Sequence, residues 1–198
     1  MNFDFNNNYI LEDDVVLLRP IEITDIALLS PFVEFEPELW KYSMVSVADI
    51  GMEKYISLAL DARVNAKEYP FIVFDKRTGK YAGSTRFYDI QPTMDTVQLG
   101  YTWYGKDFQG TGLNKHCKFL MLSFAFEQML VHRVEFRADN NNIKSISAMK
   151  SIGCTIEGIL RSNGYCADGT RRDSIILSIL NNEWFSDIKS SLQKKISI

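Results

Sequence analysis

Apolar positions along this chain change period several times, and each change marks an element. The first eight residues are polar and read as a loose lead-in, after which the β-branched and leucine run "VVLLRP" (Val15 to Pro20) predicts a first strand. Thr24 and Asp25 then offer helix caps. From Asp49 to Ala66, Met52, Tyr55, Ile56, Leu58, Ala59 and Leu60 fall near helical spacing, which predicts one amphipathic helix with Gly51 weakening only its first turn. The middle of the chain is extended: "YPFIVFDKRTGKYAGSTRFYDI" reads as two strands around a turn at Lys76 to Lys80, with Gly79 supplying a permissive dihedral. A second turn near Gln91 to Asp95 leads to "TVQLGYTWY", the third strand of a meander, whose interior Gly100 predicts a bulge or a close backbone approach.

The period then lengthens into a helix over Leu113 to Leu130. Within it Cys117, Phe119, Phe124 and Phe126 read as core, whereas Tyr101, Trp103 and Tyr104 on the preceding strand are expected to split between core and pocket. "HRVEFRAD" alternates cleanly as a strand, "NIKSISAMKSIG" is a compact helix closed by Gly153, and two more strands flank a turn at Asp168 and Gly169. The order βα(α)βββαβαββ predicts an α/β (α+β) domain with a mixed, mostly antiparallel sheet flanked by helices. No repeat or proline-rich linker divides it, so residues 1–198 read as one domain with a core of about 15–184 and a C-terminal tail over 185–198.

Composition narrows the function. With 22 basic and 25 acidic side chains and a formal charge of -3, the chain lacks the basic footprint of a nucleic-acid binder. The amino terminus has no basic-then-apolar export signal, and no apolar window approaches the roughly 20 residues of a membrane span, so a cytoplasmic protein is expected. Three cysteines without a C-x-x-C pair, and two histidines too far apart for common zinc spacing, predict neither a disulfide framework nor a metal.

The candidate chemistry lies where the third meander strand meets the long helix. Gly105 and Gly110 have P-loop spacing, but Thr111 stands where the phosphate-binding lysine must be. Gly110 and Gly112 begin a G-x-G-x-x-G match whose third glycine is Lys115. What remains is a strand, a turn with two glycines and a helix amino terminus, which together leave N–H groups pointing at one place and add about half a positive charge from the helix dipole. That is an anion site, with Lys115 or Lys118 as rim cations. Taken alone, the same turn also fits a plain strand-to-helix connection.

"QGTGLN" (Gln109 to Asn114) resembles the acetyl-coenzyme A signature Q/R-x-x-G-x-G/A of the GNAT acetyltransferase superfamily. The ordered set "GYTW" (Gly100 to Trp103), "FAFE" (Phe124 to Glu127), "RVEFRAD" (Arg133 to Asp139), "NIKS" (Asn142 to Ser145), "IGCTIEGILR" (Ile152 to Arg161), "DGTRRDS" (Asp168 to Ser174) and "SILNNEW" (Ser178 to Trp184) resembles its RimJ/RimL-like branch, which acetylates ribosomal-protein amino termini. The resemblance implies acetyl-CoA as cofactor, with its diphosphate on the amides of Gln109, Gly110, Thr111, Gly112, Leu113 and Asn114. Its pantetheine arm would lie along Leu99 to Trp103, facing Asn142. It also implies direct transfer of acetyl to a primary amine, on a protein N-terminus or a small molecule, in a ternary complex.

Two positions depart from the family. Met149 occupies the place of the frequent tyrosine acid, and Gln98 that of the frequent glutamate base. Ser145 becomes the candidate acid, though it equally fits a first-turn capping role. Backbone N–H groups near Tyr101 are candidates for oxyanion stabilisation. Glu157, Asp139 or a water chain could replace the base, Glu157 also reading as a surface charge. His116 beside Cys117 suggests a nucleophile and base, but helix neighbours diverge. The acceptor side is expected from Glu34 to Ala66 and the turn Asn163 to Thr170. A homodimer is compatible with the sequence. The rival function is a non-catalytic acyl-CoA sensor that lost its acid and base.

Overall fold

The computed structural model describes residues 1–197. Eight strands form one sheet in the order β1-β2-β3-β4-β5-β6-β8-β7, with β1 Leu11–Glu12, β2 Val16–Pro20, β3 Glu68–Asp75, β4 Lys80–Gln91, β5 Thr96–Tyr104, β6 Arg133–Asp139, β7 Thr155–Tyr165 and β8 Arg171–Leu180. The helices are α1 Ile26–Phe35, α2 Val47–Ile50, α3 Met52–Val64, α4 Leu113–Ser123, α5 Ile143–Ser151, α6 Asn181–Glu183 and α7 Lys189–Ile196. Every strand pairing is antiparallel except β5 with β6, which α4 connects by a crossover. The sheet is therefore mixed and mostly antiparallel, as its pattern predicts. None of the described helices is long and apolar enough to cross a membrane.

Two cores form, one on each face of the sheet. The larger holds Val97, Leu99, Leu113, Met121, Leu177 and Trp184 beneath α4 and α5, and the smaller holds Ile21, Leu29, Trp40, Ile56 and Trp103 beneath α1 and α3. Leu99 and Trp103 are four residues apart and would share a face in a regular strand. They enter opposite cores because β5 carries an irregularity where Tyr101 adopts a φ of 48°. One extra residue inverts side-chain parity beyond it. The bulge expected at Gly100 is therefore real and centred one residue later.

Three local expectations change. Gly51, at φ 80° and ψ 157°, does more than weaken a first turn: it separates α2 from α3. The amino-terminal residues are not loose, because Phe3 packs edge-on against Phe5 and Tyr69 and stacks on Tyr9. The long helix ends its α geometry at Ser123 and continues as a π turn over Phe124–Gln128. Beyond β8, Trp184 is fully buried and stacks on Phe126, and Leu192 anchors α7 in the same core.

Candidate active site

β5 ends at Tyr104, and a single 3-10 turn, Lys106–Phe108, carries the chain to the two glycines. Gly110 and Gly112 sit at φ 77° and 86°, in the left-handed region that side chains resist. A β-carbon on either would meet nothing within 4 Å, so the space above the turn is open. The N–H groups of Gly110, Thr111, Gly112 and Asn114 have no acceptor among the described residues, and they gather at the positive end of α4. Gln109 pins the turn to its strand, Nε2 donating to the Tyr104 carbonyl at 2.6 Å. Arg77, from the β3–β4 hairpin, donates to the Thr111 carbonyl at 2.9 Å and is held by Asp75 at 2.8 Å. Lys144 of α5 bonds the side-chain oxygen of Gln109. The cations that touch the turn are thus Arg77 and Lys144, both distant in sequence.

Lys118 is not a rim cation. It shares the buried stripe of α4 with Leu113, Cys117, Met121 and Leu122, a helical spacing that could have revealed its direction. Its ammonium donates to the hydroxyls of Thr102 at 2.7 Å and Thr85 at 3.3 Å, and burial pulls its pKa down to about 7. Cys117 is fully buried with its thiol pushed up to about 12, and the His116 ring bonds Asp13 at 2.7 Å. The two neighbours diverge and form no nucleophile and base.

The cleft itself arises from incomplete pairing. β5 and β6 pair only at Thr96, Val97 and Gln98 against Arg133, Val134 and Glu135. Beyond those residues the strands splay, leaving the β6-facing edge of β5 from Leu99 onward without a strand partner. The Leu99 side chain is buried in the larger core, so only its backbone faces the gap. Gly100 is obligatory there for a steric reason, since a β-carbon would lie 2.9 Å from the Tyr88 ring. Tyr101 is half exposed, its ring edge-on to Tyr88 at 5.0 Å and beneath the Arg86 guanidinium at 4.4 Å. Burial and then the Glu68 charge raise its hydroxyl pKa, which keeps it protonated.

On the opposite lip, α5 begins at Asn142, whose Oδ1 accepts the Ser145 backbone N–H at 3.0 Å. The cap is therefore Asn142 rather than Ser145, while the amide NH2 of Asn142 makes no bond among the described residues. The Ser145 hydroxyl has no partner among the described residues. Met149, in the usual place of the tyrosine acid, is buried.

The expected bases fare differently. Glu157 lies on the edge strand β7, gripped by Arg133, whose hydrogen bonds hold its carboxyl below the ordinary range, and it accepts the Ser178 hydroxyl at 2.7 Å. That leaves it a surface ion pair. Asp139 is buried at the splayed end of β6, accepting the Asn141 N–H at 2.8 Å and the Cys166 thiol at 3.3 Å. Gln98 donates to Asp89 at 2.7 Å, and its register partner across the last closed pair is Glu135. Two carboxylates, Asp89 and Glu135, thus flank the glutamine that replaces the family's base, and neither is visible from local sequence.

The two segments expected to form the acceptor side meet. Ala167 of the β7–β8 turn donates to the Ser43 carbonyl at 3.3 Å, and Arg172 donates to the Tyr42 carbonyl at 2.9 Å.

The comparisons with known proteins agree with this geometry. The family described as acetyltransferase (GNAT) domain matches residues 16–155. The Bacillus subtilis protein named "Probable N-acetyltransferase YjcK" is 26% identical over 180 residues, covering 86% of this chain and 97% of that protein. A GCN5-related N-acetyltransferase from Brucella melitensis superposes with a TM-score of 0.88 at 22% identity, covering 98% of this chain and 88% of that one. Mycobacterium smegmatis RimJ, solved in complex with CoA-disulfide, superposes at 0.78 with 19% identity, covering 95% and 93%. A strand pair that parts over a glycine turn, and a family match spanning most of the chain, place this protein in the acetyltransferase (GNAT) family of acyltransferases.

Proposed function

We propose that this protein transfers the acetyl group of acetyl-CoA to a primary amine by direct attack in a ternary complex. The observation that carries the reading is the opening of β5 from β6 beyond Gln98, directly onto the unpartnered N–H groups of Gly110 to Asn114. When bound, acetyl-CoA supplies an activated thioester, so no protein nucleophile is needed. The amides of the turn, backed by Arg77 and Lys144, hold a diphosphate by hydrogen bonds and charge. The free edge of β5 from Leu99 to Trp103 accepts a pantetheine arm as an added strand. The bulge at Tyr101 turns backbone N–H groups toward the reacting carbonyl. Ser145, with its hydroxyl free, gives the proton to the departing sulfur. Asp89, which accepts only from the neutral amides of Gln91 and Gln98, takes the proton from the attacking amine through water.

Thermal unfolding with acetyl-CoA, and with ATP and NAD as controls, tests the cofactor half. Saturation at 100 times the dissociation constant adds about 2.7 kcal/mol, or about 5 to 10 °C for a chain of this size. The shift should be specific to acetyl-CoA and vanish in Gly112→Glu, which fills the open space and strains a positive φ. No shift in a folded sample would return the turn to plain architecture. Release of free CoA thiol across an amine and peptide panel tests the transfer half.

A further inference from the structure

Arg172 is buried, yet no carboxylate among the described residues lies within 4 Å of it. Arg19, Arg77, Arg86 and Arg133 each have such a partner. Arg172 donates Nε to the Ser174 hydroxyl at 3.0 Å and Nη1 to the Tyr42 carbonyl at 2.9 Å, which leaves Nη2 without a protein acceptor. Asp139, opposite Ser174 on β6, is the nearest carboxylate by register, and its oxygens already serve the Asn141 N–H and the Cys166 thiol. An unpaired buried cation costs several kcal/mol unless an anion offsets it.

A second buried arginine, beside the bulge, is by contrast already paired. Arg86 is 4% exposed and bonds Glu68 through Nη1 at 2.5 Å, while its Nε and Nη2 are buried without a partner. Its guanidinium is clasped between the rings of Tyr55 and Tyr101, at 4.9 and 4.4 Å, which fixes its plane. Arg172 reaches the splayed end of β6 from β8, since Ser174, which accepts its Nε–H, pairs with Asp139 there. The contacts of Ser43 with Ala167, and of Tyr42 with Arg172, tie the loop after α1 to the β7–β8 hairpin over this face. That tie suits a small acceptor better than an extended chain.

We propose that Arg172 anchors an anionic group, carboxylate or phosphate, carried by a small acceptor amine. The inference rests on the acetyl-transfer reading above and names its substrate class. Arg172 supplies the uncompensated charge, and the unused N–H groups of its Nη2 supply the donors for the anion's oxygens.

The test uses matched probes on the full chain: β-alanine against propylamine for the carboxylate, and O-phosphoethanolamine against ethanolamine for the phosphate. CoA-thiol release gives kcat/KM, and thermal unfolding with acetyl-CoA present at constant ionic strength gives binding without turnover. The charged member of at least one pair should shift the midpoint and exceed its neutral partner by tenfold or more in kcat/KM. The pair that responds distinguishes the two anions. Arg172→Met should abolish that preference through KM and leave the acetyl-CoA shift intact, while Arg172→Lys should restore part of it. Retention of the acetyl-CoA shift also shows that each variant is folded. If neither charged probe shifts the parent or outruns its neutral partner, the proposal fails, and an acetyl-CoA shift in that same sample shows that the transferase reading survives it. Loss of the acetyl-CoA shift in the parent would overturn both.

Discussion

Replacing Lys118 with methionine should stabilise the protein, by an amount that grows as pH falls. The side chains are similar in volume, so packing around α4 is conserved and mainly the amine is removed. Thr85 and Thr102 lose one donor but keep each other, their hydroxyls being 2.8 Å apart. Burial lowers the Lys118 pKa from 10.5 to about 7. At about 1.4 kcal/mol per pH unit, that corresponds to about 5 kcal/mol of unfavourable burial once the amine is charged. The sign follows from proton binding. Above pH 10.5 the amine is neutral in both states and carries no cost. As pH falls from there to about 7 the unfolded chain is protonated and the folded one is not, so the parent loses stability relative to the variant. Below about 7 the difference is constant. The lost hydrogen bonds subtract a roughly constant 1 kcal/mol each at most. Between pH 9 and pH 7 the gap between variant and parent should widen by about 2 kcal/mol, or about 4 to 8 °C in Tm. Paired thermal melts across pH 6 to 9.5 read this directly, because other titrating groups cancel in the difference. The neighbouring thiols Cys117 and Cys154, each raised to about 12 by burial, do not titrate in that window in the folded protein, and their titration in the unfolded chain is common to parent and variant. A difference that does not vary with pH, or a parent more stable at pH 7, would refute the reasoning.

Two further substitutions probe the site. Ser145→Ala should lower kcat by about 100-fold, the low end of general acid contributions, while KM for acetyl-CoA stays put. Stability should hold within about 0.5 kcal/mol, because Asn142 caps through the backbone of residue 145; steady-state thiol release with a melt checks both, and unchanged kcat removes Ser145 as the donor. Arg77→Met should weaken acetyl-CoA binding about tenfold, a loss of about 1.4 kcal/mol, by freeing Thr111, as titrated by calorimetry. It should also cost stability at neutral pH. Burial alone would raise the Asp75 carboxyl, but hydrogen bonds from Arg77 outweigh it and hold the pKa below 3.8. That contribution is present above pH 3.8 and lost as pH falls through the folded value, so parent and variant should converge in acid.

Much of the fold is legible because its signals are local. Alternation in "HRVEFRAD" gives β6, Gly79 marks the β3–β4 turn, and Gly110 and Gly112 mark the strand-to-helix turn with its open N–H groups. The Gly100 signal points to the bulge, but the positive φ falls on Tyr101, and what approaches Gly100 is the Tyr88 side chain rather than a backbone. Lys118 is misplaced because charge suggests a rim, whereas the spacing of Leu113, Cys117, Met121 and Leu122 places it inside. Asn142, not Ser145, is the cap because capping depends on which backbone N–H the side chain meets, three residues along.

The sequence by itself determined the element order, the mixed sheet and the anion-ready turn, because propensity, periodicity and glycine dihedrals act over a few residues. Only the tertiary structure decided that Arg77 and Lys144 are the cations on the turn, that Asp89 and Glu135 flank Gln98, and that Arg172 is buried without a carboxylate. Those groups lie on different strands and helices, and their proximity is set by strand register and by the splay of β5 from β6. Register is fixed by burial of whole faces in two cores, a property of the assembled sheet that no short stretch of chain carries.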